Sequence, residues 1–248
     1  MAPPRPRLDP AEDRHLLERK HRGRGFQPAS IPRPRLRLWH DWTADPWKYR
    51  AELYDHAPDI PASPAPILTT EPDLPRSWWR SLKGALNKIT TTPTRRVTTH
   101  QSFLDRAMPH YLGTPINTTA PSWSTAHGDL HFANLTAPKL LLLDWEGWGL
   151  APTAYDVATL HSYSLLVPSV TARIRQEFAH LLDTPSGHFA ELAVITELLH
   201  TAALDGTHHS LSAALRVRAA HLLGQPLLST STNTAVAVRY LCWSAGCF

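Results

Sequence analysis

Within the run HGDLHFANL, a carboxylate, Asp129, stands five residues before an amide, Asn134. Ten residues further on a second carboxylate, Asp144, closes the apolar run KLLLLD. Two carboxylates and an amide at such spacing suit phosphoryl transfer. A hydroxyl nucleophile needs a carboxylate close enough to orient it and accept its proton. A triphosphate needs hard oxygen ligands for Mg²⁺, which a carboxylate and an amide carbonyl supply. His127, Asp129 and His131 also alternate as H-x-D-x-H, a pattern that would share one face of a strand and could ligate zinc.

These residues need elements to position them. The run ending at Asp144 reads as a short buried strand that would hold one ligand rigidly, while the loop before it lets Asp129 and Asn134 turn toward it. Upstream, SWWRSLKGALNKIT predicts a helix capped by Ser77, with Trp78, Leu82, Leu86 and Ile89 on one face. In the Trp78–Trp79 pair one ring is expected in the core and the other at a boundary. A second helix is expected over 98–112, closed by Gly113. Beyond Pro152 the pattern is helical over roughly 153–166, 169–183, 187–204 and 209–223. Ahead of residue 77 the chain is different: 14 of its 23 prolines fall in residues 1–75, where they interrupt regular elements. Trp39, Trp42, Trp47, Tyr49 and Tyr54 are expected to seek burial.

The three pieces HGDLHFANL, LLLDWEGWG and AYDVA, in that order, resemble the catalytic core of the aminoglycoside phosphotransferase and choline kinase group. The resemblance implies an α+β, predominantly helical fold: a protein-kinase-like C-terminal lobe with a short catalytic-loop β-hairpin. It implies Asp129 as catalytic base and Asn134 and Asp144 as metal ligands. His127 would brace the catalytic loop and Asp156 would support it from the following helix, with Glu146 assisting through water. It also implies Mg²⁺, ATP or GTP as phosphoryl donor, and a small-molecule hydroxyl acceptor such as an aminoglycoside. Gly128 and the D-W-E run belong to this pattern and not to a zinc site. The N-terminal lobe reads as incomplete. Before Asp129 the lysines are Lys20, Lys48, Lys83 and Lys88, and none follows a strand of the kind that carries the phosphate-gripping lysine of kinases. Slow or lost turnover is therefore expected unless Arg24, Arg35 or Arg37 supplies the missing cation. The alternative is a non-catalytic or truncated kinase-like protein acting as a binding module.

Charge and composition bound the remainder. Residues 1–37 carry nine Arg and one Lys against four acids, so the +4 of the 248-residue chain resides in this segment and the remainder nets −2. We expect a basic, disordered arm over 1–37, a remnant N-terminal or linker segment over 38–76, the kinase-like lobe over 77–224 and a tail over 225–248. An arginine arm without interleaved aromatics argues against nucleic acid as a partner. The longest pure aliphatic block is Leu140–Leu143, far short of the ~18 residues a membrane span needs. Cys242 and Cys247 are too close together to staple a fold, and a cytoplasmic location is expected. His208 and His209 read as exposed loop residues. Trp145 and Trp148 read as packing beneath the metal loop.

Overall fold

The computed structural model describes residues 30–225. The expectations for residues 1–29 and 226–248, the two cysteines and Arg24 among them, lie outside the described residues. The architecture is α+β and mostly helical: six helices and three small antiparallel two-stranded sheets among the described residues.

The first sheet is a hairpin of β1 (Leu36–Ala44) and β2 (Trp47–Tyr54), with Trp42 opposite Tyr49. The aromatics expected to be buried are not: Trp39, Trp42 and Trp47 are 42–48% exposed. A two-stranded ribbon has no second layer to cover either face. Its rings pack on each other instead, His40 on Trp42 at 5.8 Å and Trp42 on Tyr49 at 5.2 Å. Residues 30–37 also depart from the expected arm. Ile31 is buried in the core, the Pro32 carbonyl accepts from Leu142 N at 2.8 Å, and Leu36 already begins β1.

Helix α1 (Arg76–Thr90) starts one residue before Ser77, and Pro75 precedes it without a side-chain cap. The spacing of its apolar residues puts Trp78, Leu82, Leu86 and Ile89 in the core, but Trp79 is buried there as well. Trp78 Nε1 donates to Thr136 O at 2.8 Å, which pins the helix to the loop carrying Asn134. Helix α2 (Gln101–Leu112) begins three residues later than expected. The amides of Thr98 and Thr99 are drawn instead to Leu150 O, at 2.9 and 3.3 Å. Gly113, at φ 70°, closes it.

Four strands frame the site. Strand β3 (Ile60–Pro61) pairs with β5 (Thr136–Ala137), and β4 (Trp123–Ala126) pairs with β6 (Gly149–Pro152). The run 140–144 is not a full strand. Leu142 forms an isolated bridge to Leu135, and Leu143 N donates to Asn134 O at 2.8 Å. Together with Thr136 N to Leu141 O at 3.0 Å this makes a short hairpin that folds residues 134–143 back on themselves.

Four helices complete the body: α3 (Tyr155–Tyr163), α4 (Pro168–Leu182), α5 (Pro185–Asp205) and α6 (Ser212–Leu222). Thr184 caps α5 by accepting from Gly187 N, and Gly206 at φ 78° ends it. Helix α5 is buried on every side from Phe189 to Thr196, which makes it the axis against which its neighbours pack. The core has two parts. One gathers α1, Phe132, Leu142 and Trp148 against α4. The other gathers α2, α3 and α6 around α5.

Candidate active site

The pairing of β4 with β6 sets Ala126 opposite Gly149, so the loops that follow β4 and precede β6 leave the sheet side by side. Their closest approach is glycine on glycine. A Cβ on Gly128 would overlap the carbonyl of Gly147, and one on Gly147 would come within 3.0 Å of His127 O. Gly128 also sits at φ 89°, open to glycine and strained for other residues. The Asp129 loop and the Asp144 loop are thus pressed together by two residues that have no side chains.

Within the first loop, Asn134 Nδ2 donates to the Asp129 carbonyl at 3.0 Å and to Asp129 Oδ2 at 3.1 Å. This turns the amide nitrogen toward Asp129 and leaves Oδ1 for another partner. His131 Nε2 lies 3.4 Å from Asp129 Oδ1. Burial pushes the Asp129 carboxyl up, but His131, His127 and Asn134 together outweigh it and hold the group below its usual range. Asp129 is therefore ionised at neutral pH.

His127 is fully buried and its Nε2 meets Leu143 O at 2.8 Å, next to Asp144. Burial lowers its pKa, against the opposing pull of Asp156. Asp156, in the first turn of α3, accepts from His127 N at 2.8 Å and from Gly128 N at 3.0 Å. Burial raises the Asp156 carboxyl, while His127 and the two amides oppose the rise. Asp144 is exposed and adopts φ 53°, a left-handed conformation that Asp tolerates better than most side chains. Trp145 donates to Leu142 O at 2.9 Å and packs on His127, and Trp148 is buried beside it. Arg96 donates to Glu146 O at 2.6 Å.

The structure thus brings the Asp129–Asn134 loop, His127 and Asp156 into one hydrogen-bonded unit, with the Asp144 loop against it. It does not bring His127 and His131 together as a metal pair. The segment is a loop, not the strand that alternation would require. No group of three or more His, Cys, Asp or Glu side chains able to hold a metal ion occurs among the described residues. A 430 Å³ cleft between Trp79 and Arg173 has none of these site residues in its lining.

Two neighbours escaped the sequence reading. Tyr163, on α3, packs edge-on against His131 at 5.1 Å, and its hydroxyl meets His208 Nε2 at 3.0 Å. His208 is therefore half-buried against the site, not a free loop residue. Glu197 of α5 receives the hydroxyls of Tyr155 and Thr99. The signal for Glu197 was present: an acid inside the apolar run AELAVITELLH needs a partner when it is buried.

No protein-family model matches the chain, and no curated protein is similar to it in sequence. Solved structures do match. A thermostable mutant of aminoglycoside phosphotransferase APH(4)-Ia, in ternary complex with ADP and hygromycin B, aligns at TM-score 0.56 and 13% identity over 88% of this chain and 84% of that one. The APH(4)-Ia structure itself aligns at TM-score 0.56 and 14% identity over 84% and 82%. A choline/ethanolamine kinase family protein from Mesorhizobium loti aligns at TM-score 0.43 and 13% identity over 90% and 81%, too loosely to add to this. The likeness to APH(4)-Ia shows the architecture: this chain has the kinase-like fold of an aminoglycoside phosphotransferase.

Proposed function

We propose that the chain is a phosphotransferase that moves the γ-phosphoryl group of ATP or GTP to a hydroxyl of a small molecule, with Mg²⁺. The observation that carries this reading is the Gly128–Gly147 contact. It sets a hydrogen-bonded Asp129–Asn134 pair against the loop that presents Asp144. Ionised Asp129 orients the acceptor hydroxyl and takes its proton as the oxygen attacks the γ-phosphorus. The bond from that phosphorus to the β-bridging oxygen breaks, and the nucleoside diphosphate leaves. His127 and Asp156 keep the loop in shape, which supplies positioning.

The donor set fits Mg²⁺. Asn134 Oδ1 and the Asp144 carboxylate are hard oxygens that would hold the ion, and substrate phosphates commonly complete its shell. Bound there, the ion would neutralise phosphate charge. APH(4)-Ia was crystallised with hygromycin B and with ADP or AMP-PNP, which supports a nucleotide donor and an aminoglycoside-like acceptor for this chain too. The absence of a membrane-crossing helix among the described residues is compatible with a cytoplasmic enzyme.

A second reading, a kinase-like binding module without turnover, draws on the segment before α1. Among the described residues its lysine, Lys48, is exposed on β2. Of the cations that could replace a phosphate-gripping lysine, Arg37 is engaged with Asp55 at 2.5 Å, whereas Arg35 is exposed. Calorimetric titration with Mg²⁺·ATP and Mg²⁺·GTP tests the enzyme reading. Binding by the parent that is lost in Asp144→Ala is expected, and no binding by either protein ends that reading.

A further inference from the structure

One carboxylate meets both of the supports that hold the two loops. Glu197 Oε2 accepts from the Tyr155 hydroxyl, and Glu197 Oε1 accepts from Thr99 Oγ1 at 3.1 Å. Tyr155 opens α3 and is the residue before Asp156, whose carboxylate holds the His127 and Gly128 amides. Thr99 belongs to the segment that grips the other loop. Thr98 N and Thr99 N donate to Leu150 O, Leu150 N donates to Arg96 O at 2.8 Å, and Thr98 Oγ1 donates to Gly147 O. Tyr155 and Thr99 are both buried, so neither hydroxyl has ready access to water as a substitute.

We propose that Glu197 is a positioning residue: through Tyr155 it holds the catalytic loop, through Thr99 it holds the Asp144 loop, and so it keeps the two from shifting relative to each other and to α5. Its importance for catalysis rests on the phosphotransferase reading; the mechanical linkage does not. The Gly128–Gly147 contact presses the loops together, and the β4–β6 pairing and the His127 Nε2–Leu143 O hydrogen bond join them from within; Glu197 ties them from a third element, α5. A carboxylate has two oxygens, and here each is committed to a different loop, which makes α5 a common anchor.

Amide hydrogen exchange on the folded chain, resolved residue by residue, tests the linkage without needing activity. Tyr155→Phe is expected to speed exchange at His127 and Gly128 by about tenfold while leaving Thr98 and Leu150 near the parent rate. Thr99→Val is expected to do the reverse. Glu197→Leu should loosen both pairs, Glu197→Gln should restore part of the protection, and amides of α6 should stay unchanged throughout. If Glu197→Leu does not fold, the two hydroxyl deletions decide the matter. Acceleration spread evenly over the chain, or none at these four amides, would overturn the proposal.

Where transfer activity is measured, kcat of Glu197→Leu should fall by about 10²-fold, the cost of ångström-scale misplacement, with Mg²⁺·nucleotide affinity changed less. A chain that transfers no phosphoryl group yet shows the split exchange pattern would refute the enzyme reading and leave the linkage standing.

Discussion

At the scale of single residues, the proposed proton acceptor, the proposed metal ligand and the contact between the loops are three different groups. Asp129→Asn keeps the shape of the side chain and its neighbour Asn134 but removes the proposed base. We expect kcat to fall by about 10²–10⁴-fold with Mg²⁺·nucleotide affinity retained, as read by steady-state kinetics and calorimetry. Asp144 sits at a positive φ that Asn also tolerates. Asp144→Asn should therefore fold with an unchanged melting temperature and lose Mg²⁺-dependent nucleotide binding; unaltered binding would remove Asp144 from the metal site. Gly128→Ala would drive a methyl group into the Gly147 carbonyl. A loss of about 1–3 kcal/mol in a denaturant titration is expected, the range for overpacking a tight contact.

At the scale of elements, α5 organises the helical body through two acids of opposite character. Glu191 is fully buried and gripped by Arg218 at 2.7 Å through both oxygens, with His161 Nδ1 at 3.1 Å. Burial would raise its carboxyl, but His161 and Arg218 overcome this and bring it down to about 2. Arg218→Ala leaves that charge buried with weaker partners and should cost about 3–5 kcal/mol by denaturant titration, the range for breaking a buried pair. Glu197 behaves oppositely. Burial lifts it from 4.5 to about 7, although its two hydroxyl donors pull it down. The folded chain therefore keeps a proton there that the unfolded chain releases. This contribution favours folding below the unfolded value, is lost as pH rises toward about 7, and is flat above. Between pH 5 and 8 the parent should lose about 2–3 kcal/mol relative to Glu197→Gln, measured as a difference in urea stability; parallel profiles would contradict the burial argument.

At the scale of the whole molecule, what was legible in the sequence was what is local. Apolar spacing along α1 and α3–α6 marks helices because each buries one stripe or its whole surface, and the errors fall at ends where a distant group intervenes. Leu150 O draws Thr98 and Thr99 out of α2, and Pro75 displaces Ser77 as the residue before α1. The residues from His127 to Asp144 lie within one stretch of chain, so their gathering into one unit could be expected from spacing. Tyr163, His208 and Glu197 reach the site from helices and a loop far along the sequence; the apolar run around Glu197 marks an acid in need of a partner, but no local pattern says which partner, and none announces Tyr163 or His208. The hairpin aromatics misled for a related reason: a ring favours burial only where a second layer exists to receive it.

In the proposed mechanism Asp129 acts beside an Mg²⁺·nucleotide. The decisive experiment is single-turnover transfer from γ-labelled ATP and GTP to aminoglycosides, amino alcohols and sugars. Labelled acceptor that forms only with Mg²⁺ and disappears in Asp129→Asn is the expected result. Equal labelling by parent and variant, or none from any acceptor while nucleotide binds, would contradict it.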